Sequence, residues 1–291
     1  MKKKTMLMLT GALAIGVLSA CGGSKENAHS DGHGSTSHQE ENSATPSAGH
    51  GDHGDHGTSE QSANYKASFS FSTESVKANE NSELHIQITD SDGDAVKEFE
   101  LNHEKLMHLI VVSKDLSYFN HIHPNDQGDG QFSIGMSFPN GGEYKAFADF
   151  VPKAGTNTTL SQWVKVEGNA KSPEPVKADA QLTKAIDDKE IELTLSSTKA
   201  NEEVTLVFNI SDAQTKEGIR DLEQYLGAVG HVVILSEDAE QYLHVHPVEE
   251  KATGPKAEFM TSFPKSGTYK IWGQFQHQGK VFTVPFVVNI S

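Results

Sequence analysis

Six histidines of this chain fall into two triplets of identical spacing: His108, His121 and His123, then His231, His244 and His246. In each triplet the second histidine follows the first by 13 residues and the third follows by two more. Neutral imidazole is a good ligand for borderline ions such as Cu²⁺ and Zn²⁺, and three imidazoles on a rigid support leave one coordination position open. Side chains two apart on a strand project from the same face. A tight turn near Lys114-Asp115, or near Glu237-Asp238, would fold the strand that begins at His108 or His231 back on its neighbour. With a two-residue loop, paired residue numbers sum to 229 or 475, so that His108 opposes His121 and His231 opposes His244. Opposed residues have Cβ atoms about 4.5–5.5 Å apart. The expectation is one three-His metal site per copy, and a three-residue loop would break its parity.

The competing account makes the triplets hydrogen-bonded structural groups, or part of a surface that meets an envelope protein. Isolated histidines such as His85, His103 and His277 are read in that way. Methionine is not expected as a shared ligand, because Met136 corresponds to Thr261 and Met260 lies one position off, on the opposite strand face. Nucleophilic catalysis has no support: there is no GxSxG elbow, and the P-loop and GxGxxG fingerprints are absent. The chain is therefore read as a binding protein, with a metalloenzyme using the open coordination position as a third alternative.

The elements that must hold these histidines are strands. Leu84, Ile86 and Ile88 alternate with polar residues, as do Ile191, Leu193 and Leu195, and then Val204, Leu206, Phe208 and Ile210. Turn clusters such as Asp90-Ser91-Asp92-Gly93-Asp94 separate such runs. Many short strands at this spacing indicate an antiparallel sandwich. Met107–Ser113 matches Gly230–Ser236, and His121-Ile122-His123-Pro124 matches His244-Val245-His246-Pro247, at one offset of 123. Ser137-Phe138-Pro139 then matches Ser262-Phe263-Pro264 at an offset of 125. The fold class expected is all-β, with two tandem Ig-like antiparallel β-sandwich domains at residues 65–168 and 181–291. A Pro-containing linker, 169–180, joins them. Phe69, Phe71, Phe138, Phe147, Trp163, Phe263, Trp272 and Phe275 are expected in the sandwich cores.

The 291 residues include 24 basic and 40 acidic side chains, a formal net charge of −16. Such a chain does not hold nucleic acid by phosphate neutralisation. One cysteine excludes a disulfide framework and any CxxC site. Lys2, Lys3 and Lys4 precede an apolar run from Met6 to Val17, too short to span a bilayer comfortably. Leu18-Ser19-Ala20-Cys21 then resembles the bacterial lipoprotein signal. That resemblance implies a cleaved leader, 1–20, a diacylglycerol lipid on Cys21, and a tether to the outer face of the cell membrane. Loss of the leader removes three lysines and no acid, taking the net charge from −16 to −19. Residues 22–64 contain no Val, Ile, Leu, Met, Phe, Trp or Tyr, so they are read with Cys21 as a disordered stalk. Its six histidines include His50, His53 and His56 among glycines and aspartates, a composition suited to loose capture of metal ions.

The run YLGAVGHVVILSEDAEQYLHVHP, followed by FPKSGTYKIWGQFQHQGKVFTVPFVV, resembles a secreted bacterial domain family with a GH…LHVHP signature. The resemblance covers residues 222–290 and implies location and fold more than activity. There is a fainter similarity to small exported Ig-like domains of the YtkA type, some of them linked to copper handling. Where that pattern often has Asp before the aromatic, repeat one has Asp149 and repeat two has Gln274.

Overall fold

The structure, a computed structural model, describes residues 64–291, with the backbone alone at His244. The leader, Cys21 and the His-rich segment with His50, His53 and His56 lie outside the described residues. Repeat one contains β1 (Tyr65–Phe71), β2 (Val76–Lys77), β3 (Ser82–Asp90), β4 (Phe99–Glu100), β5 (Met107–Ser113), β6 (Phe119–Ile122), β7 (Asn125–Gly128), β8 (Gln131–Met136), β9 (Gly142–Pro152) and β10 (Thr158–Glu167). Its two sheets have the orders β1-β3-β8-β7 and β2-β10-β9-β5-β6, with β4 also on β9. Repeat two contains β11 (Thr183–Ile186), β12 (Lys189–Leu195), β13 (Glu203–Asp212), β14 (His231–Ser236), β15 (Tyr242–Pro247), β16 (Lys256–Ser262), β17 (Gly267–His277) and β18 (Lys280–Ile290). Here β11-β12-β13-β16 faces β15-β14-β17-β18, and the two halves join where His246 pairs with Met260. The fold is all-β: two tandem Ig-like antiparallel sandwiches.

Alternation fills each core. Leu84, Ile86 and Ile88 of β3 pack with Phe132, Phe138 and Phe150 in repeat one. Leu206, Phe208 and Ile210 of β13 pack with Phe259, Phe275 and Phe286 in repeat two. The uninterrupted apolar runs of β5 and β14 have a different cause. Met107, Leu109 and Val111 face the core of repeat one, whereas Ile110 and Val112 belong to a third cluster with Val233, Leu235 and Trp272 of repeat two. Both faces of β5 are covered, so no polar position survives in its centre. Two residues expected in the sandwich cores, Phe147 and Trp272, lie in this cluster between the repeats, and Trp163 is 37 % exposed.

The contacts between repeats are reciprocal. Phe119 stacks on Trp272 at 4.7 Å, and the corresponding pair, Tyr242 and Phe147, stacks at 5.3 Å. Lys145 Nζ donates to the Ala239 carbonyl at 2.8 Å, and Lys270 Nζ donates to the Leu116 carbonyl at 2.8 Å. This is the isologous pattern of a two-fold dimer, built within one chain. The linker is fastened to the same assembly: Glu174 N–H bonds to Asp115, Val176 packs on the shared cluster, and Asp179 N–H bonds to the Val287 carbonyl.

The turns after β5 and β14 correct the expected register. Each has four residues, since Ser113 N–H bonds to the Tyr118 carbonyl and Ser236 N–H to the Gln241 carbonyl. Leu116 and Ala239 take positive φ values of 55° and 57°, closing the turn and burying their side chains between the repeats. Paired numbers consequently sum to 231 and 477, as in Ile110 with His121 and Val233 with His244. The slip is two residues, so face parity is kept. In this register position 108 falls level with 123, and position 231 with 246.

Asp115 holds the first of these turns, accepting from Ser113 Oγ at 2.6 Å and from the Ser117 and Glu174 amides at 3.1 and 3.0 Å. Partial burial opposes its charge, but the Ser113, Glu174 and Ser117 bonds outweigh it and lower the pKa to about 2. Asp115→Ala should lower stability at pH 7 by about 1 kcal/mol, a figure discounted for solvent exposure. A depressed carboxylate stabilises above its ordinary pKa of about 3.9 and ceases to do so as pH falls through about 2. Urea midpoints of parent and variant should therefore converge toward pH 2. An equal gap at both pH values would contradict this role.

Candidate metal centre

His108 projects from β5, His121 from β6, and His123 lies just beyond β6. One nitrogen from each falls within 4.8 Å of the others. Their ring centroids are 5.2, 5.0 and 4.8 Å apart. Strand parity thus brings the first triplet together, with His123 and not His121 level with His108.

Hydrogen bonds on the far side of two rings fix how they present their lone pairs. His108 Nε2–H donates to the Asn102 carbonyl at 2.9 Å, which leaves the lone pair on Nδ1. His121 Nδ1–H donates to Gln274 Oε1 at 2.6 Å, while Gln274 Nε2 donates to Thr283 Oγ1 at 3.1 Å. His108 Nδ1 and His121 Nε2 then face one another at 3.0 Å. A proton shared between them makes a hydrogen bond, and with both rings neutral a cation would take its place. Nitrogens bound at ~2.0–2.1 Å to one ion are about 2.9–3.4 Å apart for angles between square and tetrahedral. Orientation of a ligand imidazole through its other N–H is the usual outer-sphere support of a metal site. His123 Nε2 is buried with no hydrogen-bond partner. Burial, then the neighbouring His108 and Lys105, lowers the His123 pKa to about 4, so the ring is neutral at pH 7 as a ligand must be.

The support comes from both repeats. Gln274, which bonds to His121 of repeat one, is carried on β17 of repeat two. Its counterpart Asp149 pairs with His108 across β5 and β9 and is fully buried. Asp149 accepts from Asn157 Nδ2 at 2.9 Å, Thr159 Oγ1 at 3.2 Å and, from repeat two, the Tyr242 hydroxyl at 3.2 Å. Burial first, and then the Asp149 charge, raises the Tyr242 pKa well above 10. The exchange of Asp for Gln noted in the sequence is thus an exchange of partners across the interface.

In repeat two, His231 is buried on β14 opposite Gln274, and His246 on β15 is exposed. The backbone of His244 pairs with Val233, and its side chain lies outside the described residues. The rings of His108 and His231 stack at 4.9 Å, and His121 lies 4.8 Å from His231. His231 of the second triplet therefore adjoins the first, a packing of the repeats that the sequence left open. His103, read from the sequence as an isolated structural histidine, stands among them, 5.0 Å from His231 and 6.3 Å from His108. The repeat offset could not reveal it, because position 226 of repeat two is leucine; its only signal was its place in the turn that leads into β5.

A family profile matches the chain twice, over residues 60–168 and 184–291, and its description is a domain of unknown function, DUF8832. The chain belongs to the DUF8832 family. Each DUF8832 copy corresponds to one sandwich. No curated protein matches the sequence. Among solved structures, the Escherichia coli adhesin FdeC aligns at 14 % identity over 77 % of this chain and 64 % of that one, with a TM-score of 0.25. The Yersinia pseudotuberculosis adhesin InvE aligns at 9 % identity over 78 % and 61 %, also with a TM-score of 0.25. The chain spans less than two thirds of either adhesin, and scores this low give no ground for transferring a role.

Proposed function

We propose that this DUF8832 protein is a lipid-anchored, extracytoplasmic metal-binding protein that captures Cu²⁺ or Zn²⁺. The observation that carries the reading is the convergence of His108, His121 and His123. One ring nitrogen from each lies within 4.8 Å of the others, and His123 Nε2 among them is buried without a hydrogen-bond partner. A non-metal interaction module is disfavoured by where the triplet lies: the strand face bearing His108 is covered by repeat two, leaving little of it for another protein. The net charge of −16 adds a general attraction for cations. Cys21 would tether the chain, and His50, His53 and His56 would collect ions loosely ahead of the ordered centre.

The direct test is metal content. The full chain, with the six histidines of residues 22–64 replaced by alanine to remove loose binding, is dialysed against Cu²⁺ or Zn²⁺ at pH 7 and assayed. At least one tightly held equivalent per chain is expected, and none would overturn the reading. Cys21→Ala should release the chain from the membrane fraction; retention there would refute the anchor while leaving the metal site untouched.

A further inference from the structure

We infer that the buried carboxylate of Asp149, set opposite His108, supplies the counter-charge for a cation at the first triplet and biases that centre toward divalent over monovalent ions. The inference rests on the reading of the triplet as a metal site and names what that site selects. Asp149 is fully buried and faces His108 across β5 and β9. Opposed residues share a strand face, with Cβ atoms about 4.5–5.5 Å apart. The group whose ligand atoms converge within 4.8 Å consists of the three histidines, so Asp149 acts on a bound ion through its charge and not as a ligand.

A buried carboxylate is costly, and the fold does not demand one here. Repeat two buries the neutral Gln274 at the same place, opposite His231. In repeat one, Asn157 Nδ2 and Thr159 Oγ1 donate to one oxygen of Asp149, and the Tyr242 hydroxyl donates to the other. These three donors are neutral, so they solvate the charge without cancelling it. Neutral imidazoles bring no charge to offset that of an ion, and Lys105, close enough to His123 to lower its basicity, adds a like charge. Asp149 offsets both, in surroundings where water screens little. Its attraction scales with the charge of the ion, so a divalent ion gains twice as much as a monovalent one.

Asp149→Asn removes the charge and keeps the shape. The amide oxygen can accept from Asn157 and Thr159, and the amide nitrogen can donate to the Tyr242 hydroxyl oxygen. In the full chain with the histidines of residues 22–64 replaced, Asp149→Asn should weaken Cu²⁺ binding about 10- to 100-fold, the range for lost outer-sphere support. Cu⁺, with half the charge, should lose only the square root of that, about 3- to 10-fold. The difference should raise the reduction potential of the bound copper by about 30–60 mV, at ~59 mV per tenfold. Equal losses for the two ions, with an unchanged potential, would mark the residue as structural and overturn the inference, as would an unchanged Cu²⁺ affinity. Asp149→Gln carries the side chain that repeat two already buries at this position, and the same result is expected of it should the asparagine chain not fold. A parent that takes up no copper would instead overturn the reading of the triplet as a copper site.

Discussion

A chain carrying His121→Ala and His123→Ala together is expected to bind one metal equivalent fewer than its parent and to lose the stabilisation that equivalent brings. An ion that binds only the native state adds about 2.7 kcal/mol at a free concentration of 100 times its dissociation constant. Chemical denaturation with and without Cu²⁺ or Zn²⁺ should show that increment in the parent and a smaller one in the variant. Without metal the two chains should differ by no more than about 1 kcal/mol. Removing His123 also removes a buried ring nitrogen with no hydrogen-bond partner, and relief of that penalty offsets lost contacts. An unchanged metal increment would mean that the triplet is not the site. A collapse of the metal-free variant would mean that the rings are structural.

The second large effect is expected at Trp272. Its ring is 3 % exposed and stacks on Phe119 of repeat one at 4.7 Å. Trp272→Ala should cost about 3–5 kcal/mol, the usual penalty for truncating a buried aromatic. The loss falls on the seam and not on either core, so each sandwich retains its own buried cluster. Denaturation, one cooperative transition in the parent, should divide into two. Affinity at the first triplet should fall about 10- to 100-fold, because Gln274, two positions along β17, orients His121 across the same seam. A variant that still melts in one step with unchanged metal affinity would show that the repeats do not depend on this contact.

Much of this arrangement was legible in the sequence. Alternation in β3, β12 and β13 marked the sandwich strands, the offset of 123 residues marked the duplication, and the two-residue spacing of His121 and His123 placed them on one face. The register slipped by two because Ser113-Lys114-Asp115-Leu116-Ser117 does not announce that Asp115 will hold a four-residue loop. The meeting of the first triplet with His231 was left open for a different reason. It depends on how two folded units dock, and the only local trace of docking is the lack of a polar residue in the middle of Met107–Val112 and His231–Leu235. The bond from His121 to Gln274 spans 153 positions and obeys no spacing rule.

The reciprocal seam has a consequence that follows from the covalent link between its halves. In a homodimer, symmetry would force the same residue into both copies of every position around the axis. A tandem chain is released from that constraint. Here one half carries a carboxylate at Asp149 where the other carries the neutral amide of Gln274, and an imidazole at His103 where the other carries Leu226. The two halves thus differ in charge and in histidine placement although His108 and His231 stack ring to ring. The covalent link therefore lets the two halves of the seam differ in charge and in hydrogen bonding, which a symmetric dimer forbids.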